Sequence, residues 1–278
     1  MLKQLNVFKN LKEATELLKA ISDTPELDAS LLLAHTLKLR REALYALPPH
    51  TNLNASQQLK FRVAMQKRLQ NYPVAYIINY REFFGRNFYI EEGVLIPRPD
   101  SEVLIEAVID LNQEKRFKTI RDVGTGSGCL AITLALELAG TRVTASDVAG
   151  PVAQRVFDVN NSALAAKRVK YRTVSLLDDG ESYDLIVANL PYLTSEEVAE
   201  KQAENWREPT LALDGGTDGL ELITKLIEQS AGRCGVIALE ADPRQMVNIE
   251  LCLKANGFKT TSFAHDLAGD KRVVIGCT

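Results

Sequence analysis

With 278 residues, 46% of them hydrophobic, the chain can bury a full core, and a usual domain size of roughly 100 to 200 residues points to two unequal domains. A net charge of -3 excludes a surface that tracks a phosphate backbone throughout. Residues 1 to 85 carry 12 Lys+Arg against 7 Asp+Glu, a balance of +5, and the remainder 21 against 29, a balance of -8, so a basic front suited to an acidic partner or RNA precedes an acidic body. Cys129, Cys234, Cys252 and Cys277 form no Cys-x-x-Cys pair, and His35, His50 and His265 are scattered. We expect reduced thiols in a cytosol and assign no metal. No signal-peptide core and no run of about 18 uncharged apolar residues is found, so a soluble protein is expected.

In chain order, Leu11, Ala14, Leu17, Leu18 and Ile21 recur at helical spacing, and "PELDASLLLAHTLKL" and "NASQQLKFRVAMQKRLQ" continue the pattern, the latter with Asn54 as N-cap. Residues 1–73 are therefore expected to form a helical domain. The aromatic and β-branched residues of 74–97, broken by Gly85 and Gly93, predict a β-hairpin linker. From 98 to 278 helix and strand alternate. Strands are expected at "KTIRDV", "RVTAS", 169–175, 183–188, "GVIALE", "FKTTSFAH" and "KRVVIGC", with helices between them that include 218–231 and 243–255. Such alternation predicts an α/β fold with a doubly wound, mostly parallel seven-stranded sheet, ending in an antiparallel pair.

"DVGTGSGCLAI", Asp122 to Ile132, lies between a strand and a helix, where a doubly wound sheet places its ligand crevice. Gly124, Gly126 and Gly128 allow a tight turn and a close approach to a ligand. The Gly-x-Gly-x-Gly spacing is one residue short of the dinucleotide fingerprint, and Asp122 before it is sign-compatible with a cationic sulfonium rather than a pyrophosphate. Asp147, 19 residues after Gly128, closes the next strand; it can accept hydrogen bonds from ribose hydroxyls or cap the following helix. Together these features favour S-adenosylmethionine.

"YDLIVANLPYL" sets Asn189 at the carboxyl end of a strand on the same rim. A planar NH2 group has a delocalised lone pair and attacks a methyl sulfonium only when oriented. An Asn oxygen and a neighbouring backbone carbonyl can each accept one N–H and localise density on nitrogen. Tyr192 is expected on the flat face of the acceptor, and no strong general base is required. A strand ending in a Pro-containing turn would also explain Pro191.

Asn-Leu-Pro-Tyr resembles the Asn-Pro-Pro-Tyr of methyltransferases that act on planar NH2 groups of DNA bases or of protein glutamine, and also the ribosomal RNA adenine dimethyltransferases. "LIPRPDSE" (95–102) and "EPTLALDGGTDGL" (208–220), with "ELDASLLLAHTL" and "DLAGDKRVVIG", are similar over essentially the whole chain to the HemK/PrmC family of release-factor glutamine methyltransferases. The resemblance implies a class I S-adenosylmethionine-dependent methyltransferase fold fronted by a small helical domain. It also implies methyl transfer to the Gly-Gly-Gln glutamine of class I peptide-chain release factors. In that reading Gly124, Thr125, Gly126, Ser127 and Gly128 wrap the methionine part of the cofactor, Asp147 takes the ribose, and Asn189, Leu190, Pro191 and Tyr192 hold the amide. The helical front docks the release factor. A monomer is expected, with no membrane and no direct nucleic-acid contact.

The chain departs from the family at Leu190, where Pro is usual and a backbone carbonyl still suffices, and at Ser175 and Leu176, which occupy the adenine-contact positions. Asp100 and Ser101 are conservative replacements in the Arg-Pro-Glu-Thr-Glu-like segment. Alternatives are a ribosomal-protein glutamine methyltransferase, a nucleic-acid adenine amino methyltransferase, or a non-catalytic release-factor or ribosome-binding module.

Overall fold

A computed structural model describes residues 6–148, 150–177 and 181–278. The chain divides into two compact units, one of residues up to Tyr80 with Asn205–Arg207, the other of Arg81–Glu204 with Glu208–Thr278.

The first unit is helical: α1 (Val7–Leu18), α2 (Pro25–Leu37), α3 (Arg41–Tyr45), α4 (Ala55–Leu69) and α5 (Val74–Ile78). Asn54 caps α4 as expected, in a reciprocal capping box with Gln57. On α1 the buried stripe is Val7, Leu11, Ala14 and Leu18, while Leu17 is exposed, because at 3.6 residues per turn it stands about 100° away from Leu18. Leu32 and Leu33 of α2 and Phe61 and Met65 of α4 complete the core. At its edge Arg68 Nε donates to Asp28 Oδ2 at 2.8 Å, and the Ser22 hydroxyl donates to the same oxygen. Residues 74–78, expected in the hairpin linker, form α5 instead, and Ala75, Tyr76 and Ile78 are buried.

The hairpin proper is β1 (Tyr80–Phe83) and β2 (Arg86–Tyr89). Phe84 and Gly85, both with positive φ, make its two-residue turn, and Phe83 and Phe88 meet edge to face at 6.1 Å.

The second unit continues with α6 (Glu102–Lys115), β3 (Thr119–Val123), α7 (Cys129–Glu137), β4 (Arg142–Asp147), α8 (Pro151–Ala165), β5 (Lys170–Thr173) and β6 (Tyr183–Asn189). It is completed by α9 (Ser195–Ala203), α10 (Glu221–Ser230), β7 (Cys234–Glu240), α11 (Met246–Ala255), β8 (Thr260–His265) and β9 (Lys271–Cys277). The sheet order is β5-β4-β3-β6-β7-β9-β8; β9 runs antiparallel to β7 and β8, and the other pairs are parallel. The seven-stranded, mostly parallel sheet with a terminal antiparallel pair is the expected architecture. Its central strands are buried on both faces, and Ile186, Ala188, Ile237 and Leu239 pack with Leu226 and Ile227 of α10 and Ile249 of α11. No helix among the described residues is long and apolar enough to cross a membrane.

The Arg68–Asp28 pair gives a stability prediction. Arg68→Ala leaves a largely buried carboxylate with only Ser22, and should destabilise the helical unit by about 2 to 4 kcal/mol. Hydrogen exchange in α2 and α4 measures this, and unchanged protection there would refute it.

Candidate functional site

Strands β3, β4 and β6 end at one rim of the sheet, and register places their carboxyl ends side by side. Beyond them lies a cavity of about 320 Å3, within the range of small-molecule sites. Gly124, Gly126, Asp147, Leu176, Asn189 and Leu190 line it. Thr125 and Ser127 line a smaller adjoining cavity of about 40 Å3. Among the residues expected to act on the acceptor, Asn189, Leu190 and Pro191 reach the larger cavity. Tyr192 does not line it: the ring packs on the hydrophobic core behind the rim, and its backbone carbonyl accepts from Gln245 Nε2 at 2.9 Å. Burial, and then the Glu240 carboxyl, push the Tyr192 hydroxyl up to about 12, so it keeps its proton at neutral pH.

The glycine loop adopts positive φ at Gly124, Gly126 and Gly128 (74°, 52° and 83°). A Cβ on Gly124 would fall 2.8 Å from Leu190 Cδ2, so the loop closes directly against that side chain. The side chain of Leu190, expected to matter only through its carbonyl, is thus a buried wall linking the ends of β3 and β6. Gly128 lines neither cavity and serves packing, since a Cβ there would meet Phe157 at 2.7 Å.

Asp122 does not line either cavity. Its Oδ2 accepts from Thr125 Oγ1 at 2.6 Å and from the Ala131 amide at 3.1 Å, so it braces the loop and the start of α7 from behind. Burial raises its pKa to about 7, against the opposing pull of these two hydrogen bonds. Asp147, half-buried, accepts from the Gly126 amide at 2.7 Å. It does not cap the following helix, whose N-cap is Gly150. After β5, Val174, Ser175 and Leu176 continue along the cavity wall, with Leu176 at φ 56°. Asp178 and Asp179 lie outside the described residues.

The segments most characteristic of the sequence converge here. Ile96 N donates to Glu208 Oε1 at 2.9 Å, and Arg98 pairs with Glu208 Oε2, tying "LIPRPDSE" to "EPTLALDGGTDGL". The latter wraps the Asn-Leu-Pro-Tyr backbone: Leu193 N donates to Leu213 O, and Gly215 N donates to Leu193 O at 2.8 Å. A Cβ on Gly219, at φ 72°, would lie 2.3 Å from Tyr192 O. Within the site, Asn189 Nδ2 donates to Ser101 Oγ at 3.0 Å; Ser101 is buried at the end of a 3-10 turn, Pro99–Ser101. Glu240, buried at the end of β7, is the register partner of Asn189. Burial raises its pKa to about 7, against the opposing influence of the Ser101 hydroxyl and of Arg272. Sequence reading missed Val94 and Leu95 of the cavity wall, and Glu240; the signal for the last was an acid closing an apolar strand.

Two expectations follow. Gly219→Ala forces a side chain into the Tyr192 carbonyl at positive φ, and should destabilise the second unit by about 2 to 4 kcal/mol, read by thermal denaturation. Between about pH 4 and pH 7 native Asp122 holds a proton that its unfolded counterpart has released, so its contribution to stability declines as pH rises through that window. The Tm of Asp122→Asn relative to the native chain should therefore climb from pH 4 to pH 7, and a constant difference would contradict the assignment.

Comparison with known proteins identifies the family. Residues 9–78 match the PrmC N-terminal domain and residues 102–205 the ribosomal protein L11 methyltransferase (PrmA) family. The release factor glutamine methyltransferase of Coxiella burnetii is 31% identical over 98% of both chains. That of Neisseria gonorrhoeae is 34% identical over 92% of this chain and 94% of its own. Among solved structures, the N-terminal domain of human METTL16 in complex with SAH shares the fold (TM-score 0.51, 17% identity, 82% of this chain and 85% of that one). With a PrmC-type N-terminal domain and relatives above 30% identity across nearly its whole length, the chain belongs to the release factor glutamine methyltransferase family.

Proposed function

We propose that the protein transfers a methyl group from S-adenosylmethionine to the side-chain amide nitrogen of the glutamine in the Gly-Gly-Gln motif of class I release factors. The observation that carries this reading is the orientation of Asn189: its amide nitrogen is committed to Ser101, so its oxygen is the group turned to an acceptor. The cavity suits the cofactor, because the glycine loop comes close where side chains would block it, and Val94 and Leu176 offer apolar walls. When bound there, S-adenosylmethionine supplies an electrophilic methyl on a sulfonium.

The chain's own residues hold and orient. Gly124 and Gly126 cradle the methionine part, with Thr125 and Ser127 on the smaller-cavity side and Gly128 closing the loop by packing on Phe157, while Asp147 receives the ribose and Leu176 flanks the adenine. Asn189 Oδ1 accepts one N–H of the substrate amide and a backbone carbonyl from Leu190 or Pro191 accepts the other, which localises the lone pair on nitrogen. The proton leaves after the nitrogen has become cationic, so no histidine is needed. Tyr192 supports the turn from the core side. The helical unit, with residues 1–73 as its sequence-defined extent, docks the release factor; 74–97 joins it to the catalytic domain 98–278. We further propose a cytoplasmic monomer that needs no nucleic acid.

A second reading, a ribosomal-protein methyltransferase, draws on the PrmA match over residues 102–205. Both are tested by offering labelled S-adenosylmethionine with a release factor or with ribosomal proteins and mapping the methyl by mass spectrometry. The label should lie on the release-factor glutamine amide; label confined to ribosomal protein or RNA would overturn the assignment. Asn189→Ala should keep S-adenosylmethionine affinity within about threefold and lower kcat by about 100-fold or more, as expected for a group acting on the transition state. Unchanged kcat would remove Asn189 from the chemistry.

A further inference from the structure

S-adenosylmethionine carries a carboxylate at the end opposite its adenine, and a carboxylate that leaves water needs donors to replace its hydration. The two adjoining cavities differ in what they offer it. Among the described residues that line them, Asp147 is the one acid, in the larger cavity, and Arg98 is the one cation, in the smaller. Leu95, Gly124, Gly126 and Asn189 line both, so the two spaces meet at the glycine loop and at the candidate catalytic amide. At about 40 Å3 the smaller one admits a small end group but neither ribose nor base, for which the neighbouring 320 Å3 has room. A cofactor with its ribose at Asp147 and its methyl at Asn189 therefore extends its remaining end past the loop toward Arg98.

Arg98 is held in place for such a role. Its Nη2 pairs with Glu208 Oε2, and Glu208 Oε1 accepts from the Ile96 amide at 2.9 Å, so one carboxylate fixes both the guanidinium and the backbone two residues before it. The Glu208 side chain is 2% exposed and that of Arg98 38%, so the brace is buried while the guanidinium keeps an open side. Pro97, next to Arg98, lines the smaller cavity, and Pro209, next to Glu208, lines the larger, which puts the ion pair where the two meet. The remaining guanidinium nitrogens, Nε and Nη1, donate to no described residue. Because a guanidinium has five N–H donors in a rigid fork, pairing with Glu208 leaves donors for a second carboxylate.

We propose that Arg98, braced by Glu208, receives the α-carboxylate of S-adenosylmethionine in the smaller cavity. This deepens the proposed function and rests on its cofactor. The brace also decides how the ammonium on the same carbon is met. An isolated arginine would repel that ammonium while attracting the carboxylate beside it. The Arg98–Glu208 pair is nearly neutral in sum, so the attraction comes from directed N–H donors rather than from net charge, and the ammonium is not driven away.

Calorimetry on the full-length protein tests this with two ligands that differ only in the group concerned, S-adenosylmethionine and decarboxylated S-adenosylmethionine. The native protein should bind the first about 10- to 100-fold more tightly, the usual strength of charge-assisted hydrogen bonds. In Arg98→Gln the preference should shrink to within about threefold, because only the carboxylated ligand loses a partner. A merely structural role would weaken both ligands alike and leave the ratio unchanged; that result overturns the proposal, as does a native protein that binds the two equally. Arg98→Lys keeps a cation beside Glu208 and guards against a Gln variant that does not fold. Its point-like ammonium lacks the second edge of the fork, so the preference should fall by about fivefold or more, and full native preference in this variant counts against Arg98. A native protein that binds neither ligand removes the cofactor and the inference together, whereas an unchanged ratio in the variants removes the inference alone.

Discussion

The site depends on backbones approaching one another more closely than side chains normally allow. The loop after β3 lies against the Leu190 side chain, and the turn before α10 lies against the Tyr192 carbonyl, each at a distance that leaves no room for a Cβ on Gly124 or Gly219. These two contacts hold the Asn-Leu-Pro-Tyr segment at Leu190 and at Tyr192. Its backbone groups are satisfied from the flank: Leu193 exchanges hydrogen bonds with Leu213 and Gly215, and Gln245 holds the Tyr192 carbonyl. A segment restrained in this way can present an amide without relying on its own turn propensity, so Leu in place of the more rigid Pro at 190 carries little penalty in order.

The same economy governs the carboxylates. Asp122, next to last in β3, and Glu240, last in β7, are both buried and both have pKa values raised to about 7 by burial, but their surroundings separate their roles. Asp122 faces backbone and hydroxyl donors at the start of α7 and acts as a brace. Glu240 is the register partner of Asn189, the candidate catalytic amide, whose nitrogen donates to Ser101. Asp147, more exposed and with no comparable burial, stays at the open edge, where its hydrogen bond to Gly126 ties it to the loop. Three acids on adjacent or near-adjacent strands thus do three different things, set by depth and by neighbouring donors.

Much of this was legible in the letters because the fold's rule is periodic. Alternating helix and strand dictated the parallel sheet, and a glycine loop and an Asn-x-Pro-Tyr at strand ends had to share its carboxyl rim. What escaped was set by side-chain direction and by contacts distant in sequence. Leu17 fits an apolar helical text but faces solvent, since the stripe runs through Leu18. Tyr192 reads as a stacking residue beside Asn189, yet its partly buried ring packs against the core and lies outside the cavity lining. The 74–78 segment carries β-branched and aromatic residues but is helical, because burial of Ala75, Tyr76 and Ile78 overrides a weak strand preference. Asp122 was sign-compatible with a sulfonium on paper, and only the helix behind it showed where its oxygen is spent.

Ser101 illustrates the same limit from the other side. In sequence it is one letter of an Arg-Pro-Asp-Ser-Glu run 88 residues before Asn189, with no pattern joining the two. The junction exists because Glu208 secures Ile96 and Arg98, which delivers the Pro99–Ser101 turn over the ends of β6 and β7. "LIPRPDSE" and "EPTLALDGGTDGL" are thus physically joined at the site. One segment supplies the hydroxyl that accepts from the Asn189 amide, the other supplies the carboxylate that anchors the first segment and the glycines that admit the backbone after Asn189. Neither segment needs to touch the methyl donor's reactive centre to matter, since an amide aimed the wrong way is a donor, and a donor cannot free the lone pair of another amide.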